Sequence, residues 1–93
     1  MSTLETKINI PKDVLFHEVD DEMVLLNLVN GKYYSLDDVG SRMWALITEH
    51  GQLMPAYHAF LEEYQVDPQQ LEQDMLELTN KLAEHGLLQI IES

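Results

Sequence analysis

The chain has 93 residues, 45% of them apolar, and sets 17 acidic side chains against 5 Lys and Arg for a formal charge of −12. That length suits one hydrophobic core, so a single domain over 1–93 is expected; it has no apolar run near the ~18 residues of a membrane span and no secretion-signal order at its start. Without cysteine there are no disulfides or thiolate ligands, a cytoplasmic protein is expected, and the acidity argues against nucleic acid as a partner, because Lys7, Lys12, Lys32, Arg42 and Lys81 are scattered.

Residues 1–12 read as a polar lead-in, with weak alternation from Thr6 to Ile10 stopped by Pro11. Val14 to Val19 is the first predicted strand, and Asp20-Asp21 a tight turn after it. In the second, Met23 to Val29, one face carries Val24, Leu26 and Leu28 and the other Met23, Leu25 and Val29, with Asn27 the only polar residue. A strand apolar on both faces implies cover on both. Asn30-Gly31 predicts a two-residue type I′ turn, since both of its central positions need positive φ. Lys32 to Leu36 is the third strand, so the sheet covers about 14–36.

Three helices follow, over about 37–49, 53–64 and 67–85. Ser35 or Asp37 caps the first, whose apolar stripe is Val39, Met43, Leu46 and Ile47 with Trp44 beside it, and Gly51 ends it. The second tolerates Pro55 in its first turn and turns Leu53, Tyr57, Phe60, Leu61 and Tyr64 inward. In the third, Asp67 is the cap, Pro68 the first helical residue and Gln70 a capping-box partner, with Val66 and Leu71 spaced as a hydrophobic staple. Gly86 closes it with Leu87 placed against Leu82, as in a Schellman motif. Leu71, Met75, Leu78 and Leu82 form its stripe, and Asp74, Glu77, Glu84 and Lys81 its outer face. Leu87 to Ile91 is either a short strand or an apolar tail.

Catalytic patterns are missing. His17, His50, His58 and His85 share no i, i+3 or i, i+4 spacing, and the acid pairs Asp37-Asp38 and Glu62-Glu63 are sequence neighbours that do not face each other on a helix. There is no Gly-rich phosphate loop and no nucleophile elbow. The expectation is a protein that is not an enzyme, with no metal and no cofactor.

The architecture is α+β: a three-stranded antiparallel meander followed by three helices, in winged helix-turn-helix-like order. If the strands lie in chain order, Lys32 to Leu36 is an edge, and an open edge beside apolar surface is a place to add an extended peptide. Tyr33-Tyr34 reads either as one core and one half-exposed sheet residue or as the wall of such a site. Pairing through the turn sets Tyr34 with Leu25 and Leu36, and Tyr33 with Leu26 and Leu28; both faces are apolar, so the choice stays open.

The pattern Val24-Leu25-Leu26, Asn30-Gly31-Lys32-Tyr33-Tyr34-Ser35-Leu36, Asp38-Val39-Gly40 and Met43-Trp44 resembles the PqqD-like family of recognition domains for ribosomally made, modified peptides. Leu61-Glu62-Glu63-Tyr64, Val66-Asp67 and Leu82-Ala83-Glu84-His85-Gly86-Leu87-Leu88 agree, so the resemblance runs from about Val14 to Ile91. It is greatest to the free-standing recognition proteins of lasso-peptide pathways. The resemblance implies a non-catalytic module that takes the leader region of a precursor peptide as an added strand and presents it to a separate maturation enzyme, a leader peptidase in lasso pathways. Carried onto this chain, the cleft comprises Lys32, Tyr33, Tyr34, Ser35 and Leu36 on the strand, and Leu71, Asp74, Met75 and Leu78 on the third helix. An aromatic or proline of the leader would enter a pocket of Tyr34, Leu71 and Met75, and the helix acids would favour Lys or Arg in it. Two rivals remain: a PqqD-type chaperone serving a radical enzyme, and a winged-helix nucleic-acid binder, against which the acidic third helix counts.

Overall fold

The computed structural model describes residues 3–91, in the order β1 (Lys7–Asn9), β2 (Val14–Val19), β3 (Glu22–Asn27), β4 (Tyr33–Leu36), α1 (Asp38–His50), α2 (Leu53–Glu63), α3 (Pro68–Glu84) and β5 (Gln89–Ile91). β2, β3 and β4 form an antiparallel sheet in chain order, so β4 is an edge. The expected meander followed by three helices is therefore the observed α+β fold.

The two hairpins divide the turn chemistry differently from the sequence expectation. Asp20 and Asp21, at φ 51° and 67°, both sit in the left-handed region, and Val19 pairs with Glu22. Two central residues at positive φ make this the type I′ turn. At Asn30-Gly31 only Gly31 is left-handed, at φ 73°. Leu26 pairs with Tyr33, and the Asn27 N–H donates to the Lys32 carbonyl (2.9 Å), leaving a four-residue loop, 28–31. Asn27 explains the longer loop: its Oδ1 accepts from the N–H groups of Val29 (2.8 Å) and Asn30 (3.3 Å), which a two-residue turn would leave without that partner. The register moves by two residues, so every side chain keeps its predicted face.

The lead-in is structural. β1 pairs antiparallel with β5, Ile8 opposite Ile90, and Leu4 and Ile8 are buried in the core. The segment also supplies the start of α2: the Leu53 N–H donates to Thr6 O (3.1 Å), and Ile8 N–H to Gly51 O (2.9 Å). Gln52, the N-cap residue, makes no side-chain cap bond, and the lead-in carbonyl satisfies the first of the helix's free N–H groups. Leu87 to Ile91 resolves as a strand at its end.

Helix ends follow the sequence closely. Asp37, not Ser35, caps α1, its Oδ1 accepting from the Gly40 N–H at 2.7 Å. Asp67 caps α3 by accepting from the Gln70 N–H (3.3 Å), but the Gln70 side chain reaches forward to Asp74 (2.8 Å) and completes no capping box. The Schellman motif is complete: Leu87 N–H donates to Leu82 O (2.9 Å) and Gly86 N–H to Ala83 O (3.1 Å).

The core gathers Leu25 and Leu36 from the sheet, Trp44 and Ile47 from α1, Phe60 from α2, and Met75 and Leu82 from α3. Phe16, half exposed, meets Trp44 edge-on at 5.6 Å between ring centres. The other face of the sheet is not covered as expected for β3. There Leu15, Leu26 and Tyr33 form a row, with Leu15 54% and Tyr33 70% exposed.

Candidate peptide-binding site

The site begins with the hydrogen-bond parity of β4. Antiparallel ladders alternate bonded and non-bonded pairs, and the bond from Asn27 N–H to Lys32 O fixes the phase. Tyr34, opposite Leu25, is then a bonded pair; Tyr33, opposite Leu26, and Ser35, opposite Val24, are not. The N–H and C=O groups of Tyr33 and Ser35 therefore project away from β3 along the free edge. At the strand's end Ser41 of α1 replaces a rung: its Oγ accepts from Met23 N–H (2.8 Å) and donates to Leu36 O (3.1 Å). This ties the start of α1 to the point where β4 finishes.

Across from that edge lies α3. Tyr34 with Asp74, Glu77, Leu78 and Lys81 lines a shallow cavity of about 180 Å³. Farther toward the start of α3, a cavity of about 330 Å³ is walled by apolar side chains, chiefly Val39, Met43, Phe60, Tyr64, Val66 and Leu71, with Asp74 at its rim. The two meet at Asp74. The larger one exists because Val39 and Val66, 44% and 41% exposed, stand at the starts of α1 and α3, and because Tyr64 stacks on Phe60 (4.4 Å between ring centres). The expected Val66–Leu71 staple thus forms two sides of an open cavity.

Of the nine residues named from sequence, Lys32, Tyr33 and Ser35 are exposed along the edge, and Tyr34, Asp74 and Leu78 come together in the smaller cavity. Leu71 borders the larger cavity but is only 2% exposed, so it too belongs to the core. Leu36 is 4% exposed and Met75 has no exposed surface, so both lie in the core beneath the groove. The expected pocket of Tyr34, Leu71 and Met75 is therefore not one space: Tyr34 and Leu71 line different cavities and Met75 lines neither. The tyrosine ambiguity resolves, with Tyr34 half-buried on the core face and Tyr33 on the outer one.

A still larger cavity, about 450 Å³, lies across α1 and is lined by Glu18, Asp21, Asp38 and Arg42 among others. No β4 residue reaches it, and the Arg42 guanidinium is committed to Glu63, Nε donating to Oε2 at 2.7 Å. That bond holds the Glu63 carboxyl below its ordinary value and raises Arg42. Among the described residues, no group of three or more His, Asp and Glu gathers as a metal site, and no helix is long and apolar enough to cross a membrane.

Residues 22–88, from β3 to just beyond α3, match the family model described as coenzyme PQQ synthesis protein D (PqqD). The chain belongs to the PqqD family. The matched segment contains both walls of the groove, β4 and α3. Among solved structures, this PqqD-family chain is similar to TbiB1 in complex with the TbiA(beta) leader peptide, at 37% identity over 90% of this chain and 98% of that one, with a TM-score of 0.82. It is also similar to a lasso peptide synthetase B1 complexed with the leader peptide, at 21% identity, 89% and 98% coverage and a TM-score of 0.70; at that identity the likeness shows the fold. No curated protein matches the chain.

Sequence reasoning missed the larger cavity. By periodicity Val39 belongs to a core stripe and Tyr64 to an inward face, and the pattern alone does not say where neighbouring helices stop covering them. The available signal was their position, each at or just beyond a helix end, where a side chain of apolar type has the least cover.

Proposed function

We propose that this PqqD-family protein binds the leader of a ribosomal precursor peptide by adding it as an antiparallel strand to β4, and hands it to a maturation enzyme of a lasso-peptide pathway. The observation that carries the reading is the free edge of β4, with Tyr33 and Ser35 backbone groups unpaired by β3, facing α3 across two adjoining cavities. The 37%-identical relative solved with a leader peptide supports it. The protein acts by binding, without chemistry of its own.

Magnitudes set the division of labour. Four backbone bonds to Tyr33 and Ser35, at about 0.5–1.5 kcal/mol each, amount to what ordering a disordered leader costs, about 2–5 kcal/mol or more. Strand addition therefore sets register, while affinity and selectivity come from side chains entering the cavities, each large apolar group adding about 1.5–3 kcal/mol. Inward residues of the added strand alternate with outward ones. The one opposite Tyr34 faces Asp74 and Glu77, which favour a cationic tip, and the residue two places away on the Leu36 side is directed along the core face toward the apolar cavity.

The outer face supplies a second surface. The Leu15–Leu26–Tyr33 row, with Leu28 beyond it, is apolar, its Leu26 half-buried and the rest exposed, and an added leader strand extends the same face with its own outward side chains. An enzyme docked there would touch carrier and cargo together. A leader peptidase is the first candidate, and a radical enzyme, the rival that the PqqD-like resemblance implies, is the second. Pull-down with the loaded protein discriminates the two by whether a peptidase or an iron–sulfur protein is retained.

The test is a fluorescence-anisotropy titration against a library of lasso-precursor leaders, the TbiA(beta) leader among them. Saturable binding by at least one leader, competed by its unlabelled form, is expected. Failure of every leader to bind the folded protein overturns the proposal.

A further inference from the structure

The residue that lengthens the β3–β4 loop also reaches the far end of the groove. Asn27 is 8% exposed and uses both ends of its amide. Its Oδ1 accepts from the loop N–H groups of Val29 and Asn30, while its Nδ2 donates to the Gly86 carbonyl at 2.7 Å, 59 residues away in the chain. Gly86 is the left-handed residue (φ 71°) that closes α3, and a Cβ there would stand 2.8 Å from Asn27 Nδ2 and 3.2 Å from Asn30 Nδ2. The side-chain amides of Asn27 and Asn30 thus pack directly on the Gly86 backbone, leaving no room for a side chain at that position. Beside this clasp, Tyr34 of β4 meets His85 edge-on at 5.4 Å, and His85 Nδ1 lies 2.8 Å from the Lys81 carbonyl, which restrains the ring. The end of α3 is thereby fixed to the sheet at the base of the groove, and the cavities open from there toward the helix start, first at Leu78 and Asp74, then at Leu71.

We propose that Asn27 is a positioning residue for the groove: it holds α3 at the separation from β4 that an added peptide strand requires, without touching the peptide. The proposal rests on the leader-binding reading above. Its logic is geometric. An added strand lies about 4.8 Å from β4, so its inward side chains meet α3 only if the helix is set at one distance, and the clasp is a hydrogen bond that ties the end of the helix to the sheet.

Asn27→Asp separates the two jobs of the amide. The carboxylate still accepts from the loop N–H groups but cannot donate to Gly86, and its charge repels that carbonyl oxygen. Asn27→Ser is the second variant, with a hydroxyl that accepts within the loop and is too short for Gly86; it decides the matter if the aspartate variant does not fold. Two readouts are taken on folded protein with the best-binding leader of the library above: affinity, and the distance between nitroxides on Val29→Cys and Gln73→Cys, the latter on α3 away from both cavities, the chain having no native cysteine. The expected result is affinity weakened tenfold or more, with a broadened label distance that narrows on saturation with leader. A variant that binds within twofold of the parent, or that weakens binding while its label distance is unchanged, overturns the proposal. If the parent protein binds no leader, the functional reading fails and this proposal falls with it, whereas equal binding by parent and variants overturns the positioning role alone.

Discussion

Replacing Ser35 with proline isolates the edge that the functional reading depends on. Ser35 lies opposite Val24 in a non-bonded pair of the β3–β4 ladder, so its N–H points to the free edge and the sheet loses no bond when it is removed. Edge strands accept proline at such positions, and the preceding Tyr34 already has the extended conformation that proline demands. The peptide loses more than a neutral exchange would suggest. Its carbonyl opposite Ser35 is left without a donor in a desolvated groove, which costs about 1–3 kcal/mol, or roughly five- to 150-fold in Kd. The ring also crowds the approach of the strand. Anisotropy titration of Ser35→Pro against a leader that binds the parent should show that loss, with circular dichroism and melting close to the parent. Tyr34→Pro is the control in opposite phase: it removes a bond to Leu25, so the sheet itself should be destabilised. A Ser35→Pro variant that binds within twofold of the parent would refute strand addition at this edge.

The remaining expectations concern the scaffold. Asp21 adopts φ 67°, a conformation glycine takes without strain, so Asp21→Gly should stabilise the protein by about 1 kcal/mol and raise the melting temperature by about 4–8 °C; no gain would argue against a type I′ turn there. Ile8 is 7% exposed in the core, so Ile8→Ala should cost about 2–5 kcal/mol in denaturant unfolding, whereas a cost below about 0.5 kcal/mol would return residues 1–12 to the status of an unpacked lead-in. Glu63, held below its ordinary value of 4.5 by the hydrogen bond from Arg42, contributes stability that is present above that value and lost as pH falls through the lower folded one. In a side-chain NMR titration its midpoint should return toward 4.5 in Arg42→Gln; an unchanged midpoint would show that the pair does not form in solution.

What the sequence discloses here depends on how local the cause is. Asp67, Pro68 and Gly86 specify α3 through contacts within a few residues, and its bounds and Schellman motif follow from them. The partners of β1 lie elsewhere: Lys7–Asn9 has only weak alternation and becomes a strand because Gln89–Ile91, some eighty positions later, pairs with it. The Asn30-Gly31 signal was overridden for a physical reason also absent from local propensity. Asn27 gains hydrogen bonds to two loop N–H groups and to Gly86, which outweigh a tighter turn. The groove was legible in part, as an edge strand and a facing helix. Which of the helix's apolar residues line it was not, since Leu71, Met75 and Leu78 share one stripe and only the packing of α1 and α2 decides that Met75 is covered and the others border cavities.

Amide mapping of the bound state tests the central claim most directly. In a ¹⁵N-labelled sample saturated with a leader that binds, the largest shifts should fall on residues 32–36 and along α3 from Leu71 to Lys81, and hydrogen exchange at the Tyr33 and Ser35 amides should slow by more than tenfold while Tyr34, already bonded to Leu25, changes little. Binding that shifts the outer sheet face or α2 instead, and leaves Tyr33 and Ser35 exchanging as in the free protein, would contradict the account.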